Sequence, residues 1–283
     1  MGFCDSDLAR ECGVTEGEGI RVQYAQAGGC DIMRVRIETK EAAARIGKPQ
    51  GRYVTLDFGN VCTLEAREEE RVSRALSVEL REMARRICKK PTDSELCILV
   101  AGLGNAEMSA DALGAQTVRA LAVTRHLQKE ERVLLSGTER CAIAAIAPGV
   151  TGQTGMACAE LLRGAVWSIK PDLVIAVDAL AARSPDRLAS TVQLCDSGIC
   201  PGSGVRRASY ALTREALGVP VLALGVPTVI RCAALIADVM GEGACEVLDG
   251  RLRDLCVCPY DIDLVVARAA RVLACAVEKA FCK

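Results

Sequence analysis

Two aspartates are the residues of this sequence best suited to acid–base chemistry. Asp111 opens a predicted helix that follows an apolar segment, and Asp178 stands between the apolar runs IAV and ALAA. Two carboxylates brought close together cannot both ionise cheaply, so one keeps a proton and acts as an acid while the other acts as a base. Asp111 has an alternative role as a helix N-terminal carboxylate, worth about 0.3–1 kcal/mol. An acid in the surroundings of Asp178 needs a partner.

Histidine chemistry is disfavoured at the same place. His126 is the only histidine. If residues 110–127 form one helix, His126 lies about 22 Å from Asp111 along the axis at 1.5 Å per residue. This spacing argues against a Ser-His-Asp or Cys-His mechanism and against a His-rich metal site. A metal ion held by Asp111 and Asp178 with water stays open, although two carboxylates are a thin ligand set. We otherwise expect no cofactor.

A glycine-rich loop and an asparagine lie beside the two acids in the predicted order of elements. Gly149, Gly152 and Gly155 precede a helix and could present backbone N–H groups to an anion or a developing oxyanion. Their alternative role is a tight turn from strand to helix. Asn105 ends the sequence GLGN after an apolar segment and is a further candidate for substrate binding. GLGN alone is weak support for dinucleotide binding, because Glu107 stands where the third glycine would be.

The elements that must position these residues alternate between short apolar runs and amphipathic ones. This pattern predicts an α/β fold, a doubly wound and mostly parallel sheet with helices on both faces. The predicted strands are 33–38, 53–58, 96–101, 141–147, 173–177, 191–194 and 221–224, and the predicted helices are 64–88, 110–127, 156–169, 209–217, 228–240 and 262–281. Ligands bind at the carboxyl ends of parallel strands. We therefore expect residues 102–105, 148–155, 178–184 and 196–204 to face one cleft.

Composition narrows the class of protein. The 283 residues are 51% hydrophobic, enough for a large core, and we expect one domain. Thirty-five Lys and Arg balance 36 Asp and Glu, and one Trp, four Tyr and three Phe are the only aromatics. Direct nucleic-acid binding is therefore not expected. No apolar run reaches the roughly 18 residues of a membrane span, and the first twenty residues do not form a secretory signal. The 16 cysteines are interpreted as reduced, small buried hydrophobes.

Several motifs in one order resemble the germination proteases of spore-forming bacteria. They are GLGN, DALG at 111–114, TRHL, APGVTGQTG, VDALAARS, DSGICPGSG and LGVPVLALGVPT. The resemblance is strong over residues 94–230, and GRYVTL at 51–56 and the last helix extend it. It implies a fold similar to that of the hydrogenase maturation proteases. It also implies an endopeptidase that degrades the small, acid-soluble proteins coating spore DNA, in the cytoplasm of the spore core.

The resemblance also assigns roles to residues. The two catalytic aspartates of an atypical aspartic mechanism fall on Asp111 and Asp178. The family is made as a zymogen that removes its own N-terminus after an acidic residue, and the sequence SDLAR predicts a cut between Asp7 and Leu8. Residues 1–7 would then be a propeptide and residues 8–283 a single α/β protease domain. Homotetramers are expected from the family.

Arg183 is the expected partner of the acidic side chain that the family prefers before the cut, through a bidentate pair. Its alternative role is a local salt bridge. Two other functions stay open at this level. One is a metal-assisted, maturation-type peptidase on the same fold, and the other is a catalytically silent peptide-binding module.

Overall fold

The computed structural model describes residues 6–90, 96–127, 130–132, 141–200, 211–241, 250–253 and 255–281. Its strands form one nine-stranded sheet in the order β1-β2-β3-β7-β8-β6-β4-β5, with β9 paired to β8. The strands are β1 (Ile20–Ala27), β2 (Cys30–Ile37), β3 (Gly51–Asp57), β4 (Leu96–Gly102), β5 (Cys141–Ile146), β6 (Leu173–Ala182), β7 (Thr191–Cys195), β8 (Val221–Arg231) and β9 (Cys256–Val257).

Helices cover both faces of this sheet. They are α1 (Lys40–Ile46), α2 (Ala66–Ile87), α3 (Leu113–Ala120), α4 (Thr151–Thr154), α5 (Cys158–Ile169), α6 (Arg214–Leu217), α7 (Cys232–Met240), α8 (Gly250–Arg253) and α9 (Ile262–Phe281). Alternate residues of β6 separate the two sides of the core. Ile175 and Val177 pack with α2, α3 and α9, whereas Val174 and Ala176 pack with α5 and α6. The predicted α/β fold with helices on both faces is confirmed, and so is the helix at 262–281.

The sheet is mixed, which corrects the prediction of a mostly parallel one. β4, β5, β6 and β8 pair in parallel, and the remaining ladders are antiparallel. The predicted strand at 191–194 exists as β7, but it runs antiparallel to β8 and to β3. Only residues 183–190 connect β6 to β7. A parallel crossover needs a dozen or more residues, so a connection this short returns the chain in the opposite direction.

The direction of β7 overturns part of the predicted cleft. Asp196, the first residue after β7, lies at the opposite end of the sheet from the residues that follow β4. Asp196 accepts a hydrogen bond there from the Arg52 N–H, at 2.7 Å. The prediction that 196–204 faces the same cleft as 102–105 is therefore wrong for Asp196, and residues 201–204 lie outside the described residues.

The predicted helix 110–127 is divided. A 3-10 turn spans Ser109–Asp111, and α3 ends at Ala120. The chain then follows β5, because the Thr124 and Arg125 N–H groups both donate to the Ile143 carbonyl at 2.9 Å. Ile143 pairs with Ile98, four residues before the end of β4 or roughly 13 Å at 3.3 Å per residue. The prediction of a single helix over 110–127 was wrong. The segment that carries His126 nevertheless runs beside the middle of β5, away from the carboxyl end of β4.

β6 and β8 are longer than predicted. They pair from Val174 with Val221 to Ala182 with Ile230, with a register shift after Leu180. The predicted helix at 228–240 therefore begins only at Cys232, and the helix predicted at 209–217 is reduced to α6 in the part that is described. β1, α1 and β9 were not predicted. No helix in the described parts of the chain has the length and apolar character of a membrane span.

Candidate active site

Asp178 lies inside β6, not after it as the sequence had suggested. It is in the strand's even-numbered set with Val174 and Ala176, so its carboxyl group faces the same side of the sheet. Only 6% of the residue is exposed. The Ala179 N–H donates to Oδ1 at 3.0 Å. Burial raises the pKa of Asp178 well above its ordinary value, and the carboxylates of Asp111 and Asp7 raise this pKa further.

Asp111 ends the 3-10 turn beyond β4. The main chain at Gly104, with φ +91°, packs directly against the main chain of Asp111. Only glycine permits this approach, because a Cβ at Gly104 would stand 2.1 Å from the Asp111 carbonyl oxygen. The Asn105 N–H donates to Asp111 Oδ2 at 2.7 Å. Burial raises the pKa of Asp111, and this N–H opposes the rise. The two predicted acids are thus brought within electrostatic reach of each other.

Asn105 connects Asp111 to the glycine-rich loop. Its Oδ1 accepts a hydrogen bond from Gln153 Nε2 at 2.8 Å, and Gln153 belongs to α4, the short helix between Gly149 and Gly155. Both of these glycines have φ of +71°, and Gly152 lies within α4. The loop therefore forms a turn and a short helix beside Asn105. Its predicted role, the donation of backbone N–H groups to a bound substrate, stays a prediction.

The residues around the predicted processing bond are docked against β6. The Asp7 N–H donates to the Ala181 carbonyl at 3.0 Å, and the Ala181 N–H donates to Asp7 Oδ2 at 2.8 Å. Ala181 lies three residues beyond Asp178 in the same strand. We call residues 6–12 the N-terminal segment. Asp7 is therefore held on the strand that carries Asp178 and within electrostatic reach of its carboxylate, although the two residues are remote in the chain.

Leu8 fills an apolar pocket. Its side chain is fully buried and packs with Leu180, Ala182 and Ile199. The Leu8 N–H donates to Ser6 Oγ at 3.0 Å, and its backbone is extended, at φ −82° and ψ 122°. The aliphatic residue after the predicted cut thus lies in a pocket formed by two residues of β6 and by Ile199.

Gln193 of β7 holds the main chain on both sides of Leu8. Its Nε2 donates to the Asp7 carbonyl oxygen at 2.7 Å, and its Oε1 accepts from the Ala9 N–H at 2.6 Å. Sequence reasoning missed this residue. The available signal was an amide between the apolar neighbours Val192 and Leu194, because a polar group in a buried strand needs a partner.

Glu11 is a second residue that was missed. Its carboxylate accepts hydrogen bonds from the N–H groups of Arg183 at 2.7 Å and Ser184 at 2.8 Å, and also from the Ser6 hydroxyl. The structure therefore uses the main chain of Arg183 to anchor the N-terminal segment. The predicted role of the Arg183 side chain, pairing with an acidic side chain before the cut, stays a prediction.

Other chemistry at this place has little support. Cys158 opens α5 near Asp178, and burial, then the Asp178 carboxylate, raise the pKa of its thiol to about 11. A thiol with this pKa is protonated at neutral pH and is a poor nucleophile. Within the described residues, no group of three or more His, Cys, Asp or Glu side chains could hold a metal ion. The donor set for a metal at Asp111 and Asp178 therefore remains the two carboxylates.

The family model and the sequence relatives agree on one family. The germination protease family model matches residues 5–241. The germination protease of Clostridium acetobutylicum is 35% identical over 310 residues, covering 97% of this chain and 94% of the relative. That of Caldanaerobacter subterraneus subsp. tengcongensis is 37% identical over 284 residues, covering 90% and 86%. A crystal structure of the NiFe hydrogenase maturation protease HycI from Thermococcus kodakarensis matches with a TM-score of 0.33 and 17% identity, covering 65% of this chain and 93% of that chain.

Proposed function

Because this chain belongs to the germination protease family and is an endopeptidase, we propose that it cuts peptide bonds with Asp111 and Asp178 and an activated water. We further propose that it is made as a zymogen whose first cut is its own Asp7–Leu8 bond. The observation that carries the proposal is the docking of the N-terminal segment on β6. An acidic residue and an aliphatic residue occupy fitted positions on either side of one peptide bond, on the strand that carries the buried Asp178 and within electrostatic reach of its carboxyl group.

The chemistry follows from the unequal surroundings of the two acids. Asp178 is the more buried and its pKa is raised further, so it carries the shared proton in the resting state. Asp111 takes a proton from a water molecule as the water oxygen bonds to the Asp7 carbonyl carbon. Asp178 then protonates the nitrogen of Leu8 as the C–N bond breaks. One water is consumed, and a carboxyl terminus and an amino terminus are formed.

The same site serves proteins supplied from outside once the N-terminal segment has been displaced. We propose that its substrates are the small, acid-soluble proteins that coat spore DNA, that it acts in the spore core, and that it assembles as a homotetramer. The docked segment is a template for such substrates: an acid, an extended main chain and an aliphatic residue. While the segment is docked, Leu8 occupies the pocket that a substrate's aliphatic residue needs, so the uncut chain is inhibited by its own N-terminus.

Self-processing of the purified chain tests this proposal. Intact mass and N-terminal sequencing should show conversion to a chain that begins at Leu8. Asp111→Asn and Asp178→Asn should each slow conversion by ~10²- to 10⁴-fold, the usual contribution of an acid–base group. Asp263→Asn, the same change at an exposed position of α9, is the matched control and should convert at the parent rate.

Four outcomes would overturn the proposal in different ways. A chain that begins beyond residue 12 would refute the processing site. Either active-site variant retaining more than about a tenth of the parent rate would refute the aspartate pair. Rate loss on chelation would favour the metal-assisted alternative, whereas a chain that binds a spore protein without cutting it would be a silent binding module. With a small acid-soluble spore protein as substrate, mass mapping should find cuts after an acid and before an aliphatic residue.

A further inference from the structure

We propose that Gln193 is a catalytic residue, whose side-chain amide donates a hydrogen bond to the carbonyl oxygen of the bond being cut. The inference rests on the proposed cut between Asp7 and Leu8. It assigns stabilisation of the developing oxyanion to one side chain of β7. The sequence had suggested that the N–H groups of the loop at 149–155 take this role.

The orientation of the amide is fixed by its partners. The Ala9 N–H is a donor only, so the Gln193 atom 2.6 Å from it must be the acceptor Oε1. Nε2 then faces the Asp7 carbonyl oxygen, which can only accept, at 2.7 Å. Both contacts have normal hydrogen-bond lengths or slightly shorter ones. A flipped amide would place donor against donor and acceptor against acceptor.

Gln193 binds main chain, not side chain. In an extended segment, the C=O of one residue and the N–H of the second residue after it point the same way. Leu8 has such a backbone, and the amide of Gln193 takes the place of a peptide group in a neighbouring strand. The contact is therefore available to any extended substrate, whatever its side chains.

The register of the sheet aligns Gln193 with the proposed acid. Gln193 pairs with Gly225 of β8, and Gly225 pairs with Asp178 of β6. Paired residues of neighbouring strands project to the same face, and strands lie about 4.8 Å apart, so these two side chains arise roughly 10 Å from each other. The residue between them has no side chain. A Cβ at Gly225 would meet the Asp178 carbonyl oxygen at 2.6 Å and Leu180 Cγ at 2.7 Å.

Burial makes the contact effective. Gln193 is 7% exposed and Leu8 is fully buried, so little water competes for the Asp7 oxygen. Negative charge develops on that oxygen when water adds to the carbonyl carbon. A donor fixed in place before the reaction strengthens its bond as the charge grows, and removal of one such donor costs ~10²- to 10³-fold in rate. Gln193 keeps its proton throughout, so the proton balance remains with the two aspartates.

The test measures self-processing in Gln193→Leu and Gln193→Glu, with the exposed Gln23→Glu of β1 as the matched control. Gln193→Leu should slow the cut by ~10²-fold or more. Gln193→Glu keeps an acceptor for the Ala9 N–H but loses the donor whenever the new carboxyl is ionised. Its rate relative to the parent should therefore rise as the pH falls, a dependence that a merely structural residue would not produce.

Docking is followed separately from chemistry. In an Asp178→Asn background, which stays uncut, amide exchange of the N-terminal segment measures how much docking each Gln193 variant loses, and the loss in processing rate should exceed the gain in exchange. Folded Gln193 variants that process within about threefold of the parent would overturn the inference, as would a relative rate independent of pH. If the parent itself does not cut at Asp7–Leu8, the proposed function has failed. If the parent cuts there, Asp178→Asn does not, and the Gln193 variants do, only this inference has failed.

Discussion

Leu8→Ala should loosen the N-terminal segment by an amount that the structure sets. The Leu8 side chain is fully buried among Leu180, Ala182 and Ile199. Truncation of a buried leucine to alanine costs about 2–5 kcal/mol. We take about 2 kcal/mol, because Ile199 is itself only half-buried. At 1.4 kcal/mol per factor of ten, local opening of the segment should become about 30-fold more frequent.

The assay is amide hydrogen exchange in an Asp178→Asn background, where the segment stays attached. Exchange in residues 6–12 should accelerate about 30-fold in Leu8→Ala, and the control Leu264→Ala, at a residue 49% exposed on α9, should leave it unchanged. Leu180→Ala should give a similar acceleration, and the double variant should show less than the product, because both changes remove one contact. Unchanged exchange in Leu8→Ala, or fully multiplicative effects, would refute the pocket.

Four further predictions follow from the same contacts. Asp178→Asn should raise the melting temperature at neutral pH. The pKa of Asp178 is higher in the folded chain than in the unfolded chain, so the parent loses stability as the pH rises above the ordinary aspartate pKa, and the asparagine variant avoids this loss. The gain should therefore shrink in melts taken toward pH 4, and a constant gain would contradict the assignment. Cys158→Ala should process within about threefold of the parent, because a thiol of raised pKa is not the nucleophile, and a loss above tenfold would reopen cysteine chemistry. Gly225→Ala should slow self-processing, because the added methyl group would displace Leu180 and the Asp178 main chain. A processing rate equal to the parent's would show that the close packing at Gly225 does not matter for the reaction. Glu11→Gln should speed amide exchange in the N-terminal segment, because hydrogen bonds to a charged group are worth ~1.5–3 kcal/mol each, and equal exchange would exclude Glu11 as an anchor.

The sequence predicted most reliably where one physical pattern dominated. The last helix has a continuous apolar stripe, and its limits at Ile262 and Phe281 are as predicted. Asp111 and Asp178 were singled out because both carboxylates follow apolar segments; the structure brings them within electrostatic reach of each other, and their catalytic role stays a prediction. β1 was missed although Ile20, Val22 and Tyr24 alternate with Arg21 and Gln23, because its residues are mostly exposed and no continuous apolar run marks the strand. α1 was missed because seven residues are too few to show a clear helical period.

What could not be predicted depends on pairing between distant residues. The end of β6 was predicted at residue 177, where the apolar run stops, yet pairing with β8 carries the strand through Asp178 to Ala182. Local rules commonly fail in this way at functional sites. The direction of β7 depends on a short connection, and the position of Gln193 opposite Asp178 depends on the register of three strands. The docking of Asp7 depends on hydrogen bonds with Ala181 and Gln193, which lie 174 and 186 positions away in the chain. No local sequence pattern reveals contacts over such separations.

The central claim is that Asp111 and Asp178 act as one unit on the Asp7–Leu8 bond. Self-processing rates of Asp111→Asn, Asp178→Asn and the double variant test it most directly, because residues that share one proton-transfer step are strongly non-additive. The account predicts that the double variant is no slower than the slower single variant. A double variant whose loss equals the product of the two single losses would contradict it.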